Sequence, residues 1–158
     1  MRFCFLAHHT LGGSTKVALN IATELAKCGH RVYVILLHYS LWTEIYQETE
    51  NLSFLFLEPD TELSSPDEEL VLHWSEGQQD KLMKTVEWLV RDKGVRVIHY
   101  HYAIPFAKLC ANIQKRHRED NFRVIGTLHG TDVSLYGKQA PYHQEYRTYT
   151  QTDSNNRF

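Results

Sequence analysis

Three short segments carry the side chains that could do chemistry. The first is His8 and His9 followed by Thr10-Leu11-Gly12-Gly13-Ser14-Thr15, the second His99, His101 and Tyr102, the third His129-Gly130-Thr131-Asp132. Histidine can donate, accept or move a proton near neutral pH. Glycine lets a backbone approach a ligand closely, and the unpaired N–H groups opening a helix favour an anion. A diphosphate or a carboxylate would therefore suit Gly12, Gly13 and Ser14. The same glycines equally serve a tight strand-to-helix turn, and the loop matches neither G-x-G-x-x-G nor the P-loop pattern. His99 and His101 alternate to one face of a strand, away from Tyr100 and Tyr102. With His8 and His129 they could ligate zinc in a metal-dependent hydrolase. No cysteine or carboxylate beside them has strong ligand spacing, so no metal is assigned. Thr131 and Asp132 could contact a ligand or be no more than a helix N-cap, which is the favoured reading for one of them.

The elements that position these residues follow from periodicity. Phe3 to Ala7 reads as a first strand. A helix follows with Val17, Ile21, Leu25 and Cys28 on one face, Ala18, Ala22 and Ala26 beside it, Ser14 as N-cap and Gly29 at its end. Arg31 to Leu37 reads as a buried second strand and Leu52 to Leu57 as a third. Glu58 to Trp74, with two prolines and six acidic residues, reads as a solvated loop. A helix from Glu76 to Lys93 carries Leu82, Val86, Leu89 and Val90 inward, and Gly94 ends it. Val95 to Tyr102 is a fourth strand. Pro105 opens a helix carrying Phe106, Leu109, Cys110 and Ile113, and Phe122 to Leu128 is a fifth strand. The basic run near Arg116 complements a helix C-terminus rather than marking a nucleic-acid patch.

Strands alternating with helices imply an open, Rossmann-like parallel sheet with helices on both faces. Ligands of such sheets bind beyond the carboxyl ends of the strands. In a 3-2-1-4-5 order, strands one, four and five are neighbours, and the three segments would meet in one crevice. At 158 residues the chain fits a single domain. Its net charge of −2 gives no general attraction to nucleic acid or anionic lipid. The N-terminal apolar run is too short for a signal peptide or membrane span. Cys4, Cys28 and Cys110 are an odd set without C-x-x-C spacing. They read as small buried hydrophobes in a reducing, cytoplasmic setting.

Taken together and in order, TLGGST, HYHYAIPFA and GTLHGTD resemble the N-terminal domain of retaining glycosyltransferases of the GT-B fold. Within that family they are most similar to the branch that glycosylates malate. The resemblance covers nearly the whole chain and is weakest from Leu41 to Val90. It implies transfer of a hexosyl unit, N-acetylglucosaminyl in that branch, from a UDP-sugar donor to a small hydroxy acceptor such as L-malate, with retention. No cofactor or metal beyond the donor is implied. Gly12, Gly13 and Ser14 would face the donor phosphates and the acceptor, and His129 would contact the transferred sugar as the catalytic residue. Tyr102, Thr131 and Arg147 would hold the acceptor, with the Arg147 guanidinium suited to a carboxylate. His101 and Asp132 complete the implied substrate set, Asp132 orienting or capping rather than touching substrate.

Two departures from the family pattern stand out. Thr15-Lys16 replaces a small residue followed by an aliphatic one, which would alter the loop's anion preference. The C-terminal donor-binding domain with its paired glutamates is absent, and the polar TQTDSNNRF ending falls where a sixth strand is expected. Residues 1–158 thus read as one acceptor-side domain, truncated before its last strand and inactive alone. A standalone, non-catalytic small-molecule binding module is the alternative.

Overall fold

A computed structural model describes residues 1–8, 12–38, 42–58, 74–134 and 138. Five parallel strands form one sheet in the order β3-β2-β1-β4-β5. They are β1 (Arg2–Leu6), β2 (Arg31–Leu36), β3 (Leu52–Phe56), β4 (Val97–His101) and β5 (Arg123–Thr127). Among the described residues the helices are α1 (Gly13–Lys27), a short α2 (Trp42–Ile45) not expected from periodicity, α3 (Glu76–Arg91), α4 (Phe106–Arg116) and α5 (Thr131–Ser134). This is the Rossmann-like α/β arrangement expected from the alternation. The acidic stretch at 59–73 and the tail beyond 138, where truncation was expected, lie outside the described residues.

The sheet buries both faces because successive strand side chains point opposite ways. Cys4, Leu6, Tyr33, Ile35, Ile98 and Tyr100 join one core with α3 and α4, through Leu82, Val86, Leu89, Phe106, Leu109 and Ile113. Phe5, Ala7, Val32, Val34 and Leu36 join a second core with α1. Register is continuous across the middle: Leu6 stands beside Ile35 on one side and Tyr100 on the other, and His101 beside Thr127. At β5 the burial fades, and Ile125 is 48% exposed. Gly126 stands beside Tyr100, and a Cβ there would collide with the phenol ring. The glycine gives that ring its place across the last strand.

Several boundaries and faces differ from the sequence reading. α1 buries Thr15, Ala18, Leu19, Ala22 and Ala26, while Val17 and Ile21 face outward. Small residues let the helix approach the sheet, and Phe5, Val34 and Leu36 fill the space from the strand side. Ser14 is not the N-cap: the helix begins at Gly13, and its N-cap, Gly12, makes no side-chain cap bond. Cys28 is exposed at the C-cap, unlike the buried Cys4 and Cys110, and all three thiols are free. Pro105 is the N-cap of α4 rather than its first helical residue. α3 opens with a capping box between Ser75 and Gln78, and its last turn ends two residues before the expected Lys93.

Candidate functional site

The site is built at the carboxyl ends of β1, β4 and β5, which are neighbours in the sheet. β4 turns Ile98 and Tyr100 into the α3–α4 core. Its other face carries His99 and His101, whose rings lie 5.0 and 5.9 Å from Phe5. The His99 Nε2 lies 2.8 Å from Thr127 Oγ1 on β5. His101 is fully buried, and its Nδ1 lies 3.0 Å from Nε2 of the half-buried His129. Burial pushes the His99 imidazole below its ordinary value, with the charge of His129 adding to the effect. Burial, followed by His99 and His129, pushes His101 down to about 3. His101 is therefore a neutral imidazole at physiological pH.

Beyond the strand ends, two loops are tied to each other. Strand β4 ends at His101 because Tyr102 takes a φ of +86°, in the left-handed region that a bulky side chain rarely occupies. That conformation costs on the order of 1–3 kcal/mol and persists only where neighbours over-determine it. Here the Tyr102 N–H donates to Thr127 O at 3.0 Å, and the Tyr102 hydroxyl bonds Thr131 Oγ1 at 2.8 Å. Asp132 is fully buried and accepts two backbone bonds, from Ala103 N at 3.0 Å and His129 N at 2.9 Å. Its carboxylate thus fastens the loop after β4 to the loop after β5. The N-cap alternative does not hold for Thr131 or Asp132, since both lie within α5 and Gly130 precedes it at φ +70°.

The β1 end is joined to the same assembly. His8 is 2% exposed, and its Nε2–H donates to Ile104 O at 3.0 Å. Its ring packs against Tyr102 and Phe106 at about 5 Å. Thr15, one of the two departures from the family pattern, is buried and donates its hydroxyl to His8 O at 2.7 Å. It therefore faces the fold rather than the open side of the loop. Gly12 has an extended backbone at φ −76°, and Gly13 is not in the left-handed region. Among the described residues nothing lies within 4 Å of where a Gly13 Cβ would stand. Neither glycine is demanded by backbone strain.

Of the sequence candidates, the structure brings together His101 with His129 and Tyr102 with Thr131, and binds Asp132 to the backbone beside both pairs. Gly12, Gly13 and Ser14 stand at the end of the adjacent strand. Arg147 lies outside the described residues, as do His9, Thr10 and Leu11. Sequence reasoning missed Thr127 as a partner of the histidine face. Its signal was positional: it is the last residue of β5, directly across from His101. Among the described residues, no group of three or more His, Cys, Asp or Glu is arranged to hold a metal ion, and no helix is long and apolar enough to cross a membrane.

Comparison with known proteins agrees with this placement of the chain. The model of Glycosyltransferase Family 4 matches residues 11–156, nearly the full length. Among curated proteins, the chain is 27% identical over 135 residues to N-acetyl-alpha-D-glucosaminyl L-malate synthase of Bacillus anthracis. The match covers 81% of this chain and 31% of that relative, so the chain spans about a third of the relative's length. The open parallel sheet is the Rossmann-like half of a GT-B architecture. The chain belongs to glycosyltransferase family 4.

Proposed function

We propose that this domain binds the acceptor in a retaining transfer of a hexosyl unit, N-acetylglucosaminyl, from a UDP-sugar to a small hydroxy acid such as L-malate. The observation that carries the reading is the joined constellation at the strand ends, where Tyr102–Thr131 and His101–His129 are locked side by side through Asp132. In this reading the Tyr102 and Thr131 hydroxyls, with Arg147, hold the acceptor. His129 touches the transferred sugar, and the backbone of Gly12, Gly13 and Ser14 faces the donor diphosphate. The acceptor hydroxyl oxygen replaces the diphosphate oxygen at the anomeric carbon. The domain's contribution is to hold that oxygen on the face of the sugar from which the diphosphate departs, as retention requires, and to aim fixed dipoles at the developing charge.

A second, donor-binding domain completes the enzyme in this proposal, supported by the length of the Bacillus anthracis relative. Residues 1–158 would then be the acceptor-side domain and inactive by themselves. A reducing cytoplasmic setting suits three thiols that form no disulfide. The test joins this chain to the part of the relative that it does not match, and supplies UDP-N-acetylglucosamine and L-malate. Expected is an α-linked glycoside, lost in His129→Ala while the far-ultraviolet circular dichroism stays unchanged. Full turnover by His129→Ala, or a folded fusion that binds both substrates without transfer, overturns the reading and leaves a binding module.

A further inference from the structure

His101 occupies a position that a substrate ligand could not use. It is fully buried between Phe5, His99 and His129, and among the described residues its Nε2 has no hydrogen-bond partner. Among the described residues, its polar contact is the 3.0 Å approach of Nδ1 to His129 Nε2. Two nitrogens at that distance share one proton, and the question is which ring owns it.

If His129 donated, the proton of neutral His101 would sit on Nε2, leaving a buried N–H with no acceptor. If His101 donates from Nδ1, the orphan at Nε2 is only a lone pair. Among backbone groups, buried N–H donors without a partner are rarer than under-satisfied carbonyl acceptors, and the same asymmetry is applied to the ring. The second arrangement is therefore preferred. It also decides the other ring, because an imidazole whose Nε2 accepts carries its proton on Nδ1.

We propose that His101 is a positioning residue that fixes the tautomer of His129, so that His129 offers an Nδ1–H donor to the cleft. The buried imidazole does for His129 what a second ligand-orienting partner does for a metal-bound histidine: it sets which nitrogen is protonated and how the ring stands. The rest of the frame is consistent with that task. Asp132 holds the His129 backbone N–H, and His99 is turned to Thr127, so neither competes for His129 Nε2. A donor at Nδ1 would meet an oxygen of the ligand, either a sugar hydroxyl or a carboxylate, and would not remove a proton from it. The ligand assignment rests on the proposed function, whereas the tautomer does not.

The test is nitrogen-15 NMR of the imidazoles in the whole chain at neutral pH. Expected are protonated-type signals at Nδ1 and unprotonated-type signals at Nε2 for both His101 and His129. The variant His101→Asn keeps an amide N–H where Nδ1 stood, and His129 should retain its Nδ1–H form. In His101→Leu the donor is gone, and His129 should lose the Nδ1–H signature and shift toward the Nε2–H form common in solvent. In the fused enzyme, His101→Asn should keep most of kcat while His101→Leu loses at least tenfold with KM for the donor little changed. An Nε2–H proton on wild-type His129, or an Nδ1–H form that persists in folded His101→Leu, overturns the proposal. Should His101→Leu fail to fold, the wild-type and asparagine spectra decide it alone. Expected tautomers in a fusion that transfers no sugar would sink the transferase reading and leave the positioning role in place.

Discussion

β4 has two faces of opposite character within five residues. On one, Ile98 and Tyr100 close into a core of α3 and α4 side chains, with Phe106, Leu109 and Ile113 nearly inaccessible. On the other, His99 and His101 stand where β1 and β2 present Phe5 and Val34 to α1. The first face is a packing solution and is specified by volume. The second exchanges apolar burial for two imidazoles, each with one polar partner on the β5 side among the described residues. The fold thus gives up apolar burial on the face of β4 that leads to the strand-end group, and keeps it on the face packed by α3 and α4.

The largest effect should come from the packing face. Phe106 is 1% exposed and meets the Trp74 ring edge-on at 5.4 Å. Phe106→Ala should cost about 3–5 kcal/mol in urea unfolding, through lost transfer energy plus the cavity left behind. A loss below about 1 kcal/mol would mean that this face is not the close-packed one.

The histidine face should answer to pH instead. His101 is held down to about 3 in the fold, against 6.5 for a free imidazole. Between those values the unfolded chain binds the proton and the folded chain does not, so stability falls as pH drops from 6.5 toward 3. At pH 5 this amounts to about 2 kcal/mol relative to neutral pH. The urea midpoint of the wild type should fall over that range more steeply than that of His101→Asn. Equal slopes would place the buried imidazole elsewhere.

Smaller effects are expected at the rim and on the outer face of α1. Thr131→Val removes one partner of the Tyr102 hydroxyl and should cost about 0.5–1 kcal/mol of stability, with a larger proportional loss in the proposed acceptor binding. Calorimetry of the two titrations would separate these. Val17→Ser, on a side chain 41% exposed, should stay within about 0.5 kcal/mol. A larger cost would restore the apolar α1 face that the periodicity indicated.

The legibility of the molecule in its sequence follows the same division. Strand order, strand type and the meeting of three segments were readable, because alternating apolar runs of strand and helix length leave few ways to cover a parallel sheet. The α1 face was misread, since alanines carry little weight beside Val17 and Ile21, yet close approach to Phe5 and Val34 selects the small residues. Ser14 was misread as a cap because the residue type favours it, whereas the helix starts at Gly13. At the site, the histidines and Thr131 were visible as residue types. Their pairing was not, since the Tyr102 φ and the double backbone bond of Asp132 arise only when two loops are placed together.

The central claim is that the ends of β1, β4 and β5 form the acceptor site, and an amide-resolved NMR titration of the chain with L-malate tests it most directly. Expected are saturable shifts confined to Gly12–Ser14, Tyr102 and His129–Asp132, abolished by Thr131→Val combined with His129→Ala. Shifts centred on the α3–α4 face, or no saturable shift in a folded sample, would contradict it.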